Sequence, residues 1–93
     1  MTGFTLIESV AYEGSSLIGM FLSLEAISSF LKGHRVYCDE LCDISEGREI
    51  EFKFCEQRLN AWNAPVGSTG CWEIAGRHDV TFVVYSFALS EEG

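Results

Sequence analysis

Four cysteines and two histidines are the residues of this 93-residue chain best suited to chemistry. His34, Cys38 and Cys42 fall at successive four-residue steps, which on a helix would set three metal-ligating side chains along one stripe. The spacing lacks the tight C-x-x-C of a zinc ribbon, and Cys55 and Cys71 follow only at a distance. The thiols therefore read as small, easily buried apolar side chains. Metal ligation by His34, Cys38 and Cys42, and redox chemistry, stand as the alternatives, and no cofactor is expected. A Cys-His nucleophile pair can be drawn from four thiols and two imidazoles in any small protein, so it carries little weight. His78 sits in an apparent turn, Arg77-His78-Asp79, and no motif surrounds either imidazole. No enzyme is expected.

One carboxylate stands out. Glu8 interrupts the apolar side of an alternating stretch, where an unpaired charge would be costly. Either a bulge or a sheet edge turns it outward, or it is a site carboxylate with a raised pKa. In the second case Glu8 would line a small-ligand pocket between helix and sheet with Trp62, Trp72 and Tyr85. Ordinary core aromatics would place the same residues without any ligand.

Charge narrows the partners. The chain carries 14 acidic and 6 basic residues, a net charge of −8, so polyanionic nucleic acid and anionic membranes would repel it. From Asp39 to Glu56 seven acidic residues face only Arg48 and Lys53. Asp39, Glu40, Asp43, Glu46, Glu49 and Glu51 are accordingly the candidate contacts for a basic protein surface, the alternative being a solvated face that keeps a small protein in solution. No basic segment precedes the first apolar run, and Glu8 and Glu13 interrupt it, so no export signal is expected. The longest apolar runs fall short of the roughly 18 residues of a membrane span. A cytoplasmic protein with reduced thiols is the expectation.

These residues need a scaffold, and composition allows one. A 47% hydrophobic, 13% aromatic chain with a single proline folds, and 93 residues suffice for one domain with one modest core. The organising stretch is Leu17 to Gly33. Leu17-Ile18-Gly19-Met20-Phe21 reads as a strand, and Ser23 is placed to cap a helix over Leu24 to Lys32. Leu24, Ile27, Phe30 and Leu31 recur at helical spacing, Glu25 complements the positive helix end, and Gly33 would supply a left-handed stop. A single helix from Ser16 to Lys32 is the competing reading, but Gly19 would weaken its interior and apolar residues would encircle it.

Before that stretch, Phe4 to Tyr12 reads as a first strand and Glu13-Gly14-Ser15-Ser16 as a hairpin turn. After it, Tyr37, Leu41 and Ile44 are spaced for a short helix. Glu49 to Cys55 alternates most cleanly, with Ile50, Phe52 and Phe54 on one side. Glu56 to Asn63 suits a helical turn burying Leu59 and Trp62, and a Gly-containing loop leads to a strand over Cys71 to Ala75. Val80 to Leu89, nearly all apolar, belongs in the middle of a sheet. The predicted architecture is α+β, in the order ββα(α)βββ: one antiparallel sheet of about five strands with a main helix on one face, and Trp72, Phe82, Phe52 and Phe30 at the centre of the core. The first strand or the Glu49 to Cys55 strand at an exposed edge would invite pairing with a second copy, giving a homodimer.

The segment Leu17-Ile18-Gly19-Met20-Phe21-Leu22-Ser23-Leu24-Glu25-Ala26 resembles the joint "strand, Gly-x-Phe, Ser, Leu-Glu, helix" of small uncharacterised phage and bacterial domains built from a hairpin, a helix and a further hairpin. The resemblance covers about the first third of the chain, with a general likeness of Trp72-Glu73-Ile74 and the final strand. It departs at Ile27, where those domains tend to carry Ala, and the Asp39 to Glu56 region has no counterpart. Those domains share no assigned activity, so the resemblance implies a fold and a phage or mobile-element setting and leaves function open.

Overall fold

Ser23 divides extended chain from helix. Its backbone is extended (φ −159°, ψ 161°), and its hydroxyl accepts from the Ala26 N–H at 3.0 Å, satisfying a donor that the first helical turn leaves orphaned. The computed structural model describes residues 2–34, 50–62, 64–75 and 80–88. Within them the strands β1 (Thr2–Val10) and β2 (Gly14–Phe21) precede helix α1 (Leu24–Gly33). A two-residue strand β3 (Lys53–Phe54), a single helical turn α2 (Glu56–Leu59) and strands β4 (Ser68–Ala75) and β5 (Val80–Ala88) follow. The expected helix around Tyr37 to Ile44 lies outside the described residues. Replacing Ser23 with Ala should cost about 1 kcal/mol in a urea unfolding experiment, because the Ala26 N–H then loses its acceptor. An unchanged midpoint would show that the cap contributes nothing.

The strands form one antiparallel sheet in the order β2-β1-β5-β4-β3, which makes the class α+β. β5 is central, and Phe82 to Ser86 are all buried, as its continuous apolar run requires. Its neighbour β1 is also interior, held by β2 on one side and β5 on the other. This corrects the expectation of a first strand at the edge, since the edges are β2 and β3. The hairpin turn also comes earlier than its sequence suggests. Glu13 N–H bonds the Val10 carbonyl at 3.1 Å, with Tyr12 at φ 68° and Gly14 at φ 98°, so the turn occupies residues 11–13 and Ser15 and Ser16 already lie in β2. In the ladder between them, Leu6 faces Gly19 and Ile7 faces Leu17, leaving Ile18 as an extra bulged residue on the edge strand.

Period two separates the faces of the sheet. Leu6 and Val84 are opposite each other, as are Glu8 and Phe82, and Trp72 and Ile74 face the same two positions of β5. On this side Leu6, Ile74, Phe82 and Val84 form a buried cluster with Ile27 and Leu31 of α1. Trp72, Phe52 and Phe30, expected at the centre, are only partly buried against it; the centre consists of Phe82 and aliphatic residues. Trp is so large that it is seldom fully buried even where it packs on a core. α1 does not end on a left-handed glycine either. His34 is extended (φ −103°, ψ 109°) and closes the last turn by donating its N–H to the Leu31 carbonyl at 3.3 Å.

Ile50 and Phe52 pack against this cluster while Glu51 and Lys53 are exposed, as the alternation predicts. Phe54, expected on the buried side with them, is exposed, because the edge strand leaves it covered only by Trp72 among the described residues. The ladder itself is short, pairing only Lys53 with Glu73 and Phe54 with Trp72. At the other end of β4, Ser68 faces Phe87 and Gly70 faces Ser86, so Thr69 is a second extra residue, and its hydroxyl lies 2.9 Å from that of Ser86. Among the described residues no helix is long and apolar enough to cross a membrane.

Candidate functional site

The sheet face away from α1 carries the densest polar chemistry of the described residues. Cys71 of β4 faces Tyr85 of β5, and Glu73 faces Val83, so alternate residues of two neighbouring strands meet on this side. Cys71, Val83 and Tyr85 form a second buried cluster, flanked by Ile7, Leu59 and Ala64. α2 exists because the chain turns helical straight after β3, with Asn60 N–H bonding the Glu56 carbonyl at 3.0 Å. That single turn brings Arg58 onto Glu73, and the two form a hydrogen-bonded ion pair.

The electrostatics follow from this arrangement. The hydrogen bond from Arg58 holds the Glu73 carboxyl below the usual carboxylate range against its partial burial, and a hydrogen bond from the Cys55 thiol adds to the effect. Glu73 in turn raises the Arg58 guanidinium. Burial pushes the Cys71 thiol up to about 11 and also raises the Tyr85 phenol. At neutral pH the site therefore holds one ion pair, a protonated buried thiol and a neutral phenol. Cys71 as it stands is no thiolate nucleophile.

Beside this cluster an open cleft of about 200 Å³ is lined by Ile7, Ser9, Ser15, Arg58, Pro65, Val83 and Tyr85. Ser15 donates to the Ser9 hydroxyl at 3.4 Å across the β1–β2 ladder, and Thr5 donates to the Tyr85 carbonyl at 3.4 Å. The cleft is smaller than the roughly 300–1,000 Å³ of sites that enclose a drug-sized molecule.

The residues suggested by sequence are distributed differently. Of the four proposed to line one pocket, Glu8 and Trp72 lie on the α1 side of the sheet, while Tyr85 lies on the opposite side. Trp62 is 97% exposed and was not buried by the α2 turn as anticipated. Helix, sheet and these four side chains thus do not enclose a common space. Glu8 is partly exposed on an interior strand, so neither an edge position nor the bulge, which falls on β2, accounts for its setting. His34 has extended backbone just past α1, its ring 4.7 Å from that of Phe30. Cys38 and Cys42, the other suggested ligands, lie outside the described residues, as do Asp39, Glu40, Asp43, Glu46 and Glu49. Glu51 is described and exposed, two residues before β3.

Arg58, Glu73, Cys71 of β4 and Cys55 just past β3 were not anticipated as a group. Period two would have put Cys71, Glu73 and Tyr85 on one face only with the β4–β5 register in hand, and a register depends on turns that residue types do not specify. No protein-family model, no curated protein and no solved structure matches this chain.

Proposed function

We propose that the protein is a small acidic interaction module that docks on a basic surface of another protein, with Asp39, Glu40, Asp43, Glu46, Glu49 and Glu51 as its contacts. The observation that carries this reading is the charge distribution: half of the chain's 14 acidic residues fall between Asp39 and Glu56, against Arg48 and Lys53. Within the described residues, Glu51 and Glu56 are exposed on either side of the edge strand β3, which supports a surface role for the end of this stretch. Such a concentration of one sign accelerates encounter with a complementary surface and discriminates against acidic ones. Small inhibitors, immunity proteins and nucleic-acid mimics act in this way, by binding rather than by catalysis, and the cytoplasm is the setting proposed for it.

Affinity capture from a lysate tests the reading when the six carboxylates are changed to Asn or Gln. Capture by the unaltered chain should fall about tenfold or more as salt is raised from low to several hundred millimolar, since exposed charges are screened over about 10 Å at 0.1 M. The six-fold variant should lose the partner at all salt concentrations. A partner retained by that variant at raised salt would refute the acidic stretch as the docking surface.

A further inference from the structure

Cys55, the residue just past β3, stands opposite Cys71 of the antiparallel neighbour β4. The β3–β4 register pairs Lys53 with Glu73 and Phe54 with Trp72, so the next step of the ladder sets Cys55 against Cys71. The Cys55 N–H donates to the Cys71 carbonyl at 2.8 Å, one backbone bond carried a residue beyond the ladder. Directly opposed residues share a face, and here it is the face of Glu73 and Tyr85. In such a pair the Cβ atoms stand about 4.5–5.5 Å apart, whereas a disulfide draws them to about 3.5–4.5 Å. Cys55 and Cys71 share a backbone hydrogen bond, which puts their Cβ atoms at the wide end of the first range and leaves a gap of about 1–2 Å. β3 is the strand able to close it: two residues long, outermost in the sheet, and followed after Cys55 by a single helical turn.

We propose that Cys55 and Cys71 are a dithiol that closes reversibly to a cross-strand disulfide when the chain meets a peroxide. Cys71 is fully buried and Cys55 only partly, so Cys55 is the residue the oxidant reaches. Its sulfur gives up the thiol proton and attacks one oxygen of hydrogen peroxide, the O–O bond breaks, hydroxide leaves and takes up that proton as water, and Cys55 becomes a sulfenic acid. Cys71 then gives up its proton as its sulfur attacks the sulfenic sulfur, the S–O bond breaks, and a second water departs. Two thiols and one peroxide become one disulfide and two waters; the cysteines lose two electrons and the peroxide gains them. A bridge closed against the resting spacing of the strands is strained, and strained bridges are readily reduced again by small thiols.

Closure makes a ring of the segment between the two cysteines, which contains α2 and Arg58, and fastens β3 to β4. This chemistry stands independently of any docking role for the acidic stretch.

Treating the unaltered chain with hydrogen peroxide, blocking residual thiols under denaturing conditions and mapping the digested peptides tests the proposal. The expected product is a peptide pair joined through Cys55 and Cys71, about 2 Da lighter than the sum of its thiols and separated by dithiothreitol. A chain with Cys38→Ser and Cys42→Ser should give the same link, and Cys55→Ser should abolish it. Oxidation of Cys55 to sulfinic acid with Cys71 still free for alkylation would overturn the proposal, as would links from either residue only to Cys38 or Cys42.

Discussion

Phe82→Ala is expected to lower stability by about 3–5 kcal/mol, the usual cost of emptying a fully buried phenylalanine site. Phe82 is wholly buried in the central strand, facing Glu8 on one neighbour and Ile74 on the other. It belongs to the cluster that also holds Leu6, Val84 and, from α1, Ile27 and Leu31. Strands on both sides and a helix above cannot all move in to fill the space, so the cavity term adds to the lost transfer energy. Domains of this size have about 5–15 kcal/mol in total, and the variant would sit near the limit of folding. Urea unfolding followed by far-UV circular dichroism would show the midpoint moving sharply down. Val66→Ala, at a fully exposed position, should move it by no more than about 0.5 kcal/mol. A Phe82→Ala chain losing less than about 1 kcal/mol would mean that the sheet's centre is not where the structure puts it.

The second large effect comes from adding a single carbon. A Cβ at Gly70 would lie 2.7 Å from Cη2 of Trp72 and 2.8 Å from the Ser86 hydroxyl oxygen, closer than real Cβ contacts come. The glycine is needed for space, since its φ lies outside the left-handed region. The hydroxyl of Ser86 is engaged with Thr69, and the indole of Trp72 is flanked by Phe4 and Phe54, with ring centroids 5.9 and 5.8 Å away. Gly70→Ala must therefore push the indole into its aromatic neighbours, at a cost of about 1–3 kcal/mol. Tryptophan fluorescence should report it together with the loss of stability, and Gly70→Ala/Trp72→Leu should recover part of the stability by making room. A single Ala variant as stable as the parent would show that the indole has somewhere else to go.

Where local chemistry decides a feature, the residues announced it. Ser23 followed by an apolar pattern of helical period located α1 to within a residue, because a cap and a one-sided stripe are both short-range signals. The unbroken run from Val80 marked the central strand in the same way. Elsewhere longer-range contacts prevailed. Gly14 and the following serines looked like the turn, yet Tyr12 takes a left-handed conformation that tyrosine rarely adopts, and the serines joined β2. Glu49 to Cys55 alternates well enough for a full strand, but an edge position with one neighbour gave Lys53 and Phe54 alone a ladder. The candidate site was least legible. Arg58 and Glu73 are 15 residues apart, on a helical turn and a strand whose meeting depends on the chain between them. Tyr85 and Trp72 both looked like lining for one pocket, and only the register assigns them to opposite sides.

The neighbour of the first strand is the last one. Leu6 meets Val84 and Thr5 meets Tyr85 across almost the whole length of the chain, and within the sheet the described strands β1 and β2 are hydrogen-bonded to the β3–β4 pair by way of β5. Until β5 is in place, neither half has a core to share. A distant closure of this kind slows folding relative to a helical bundle, because the loop entropy must be met before the contact forms. During synthesis β1 would lack its partner on that side until β5 has emerged.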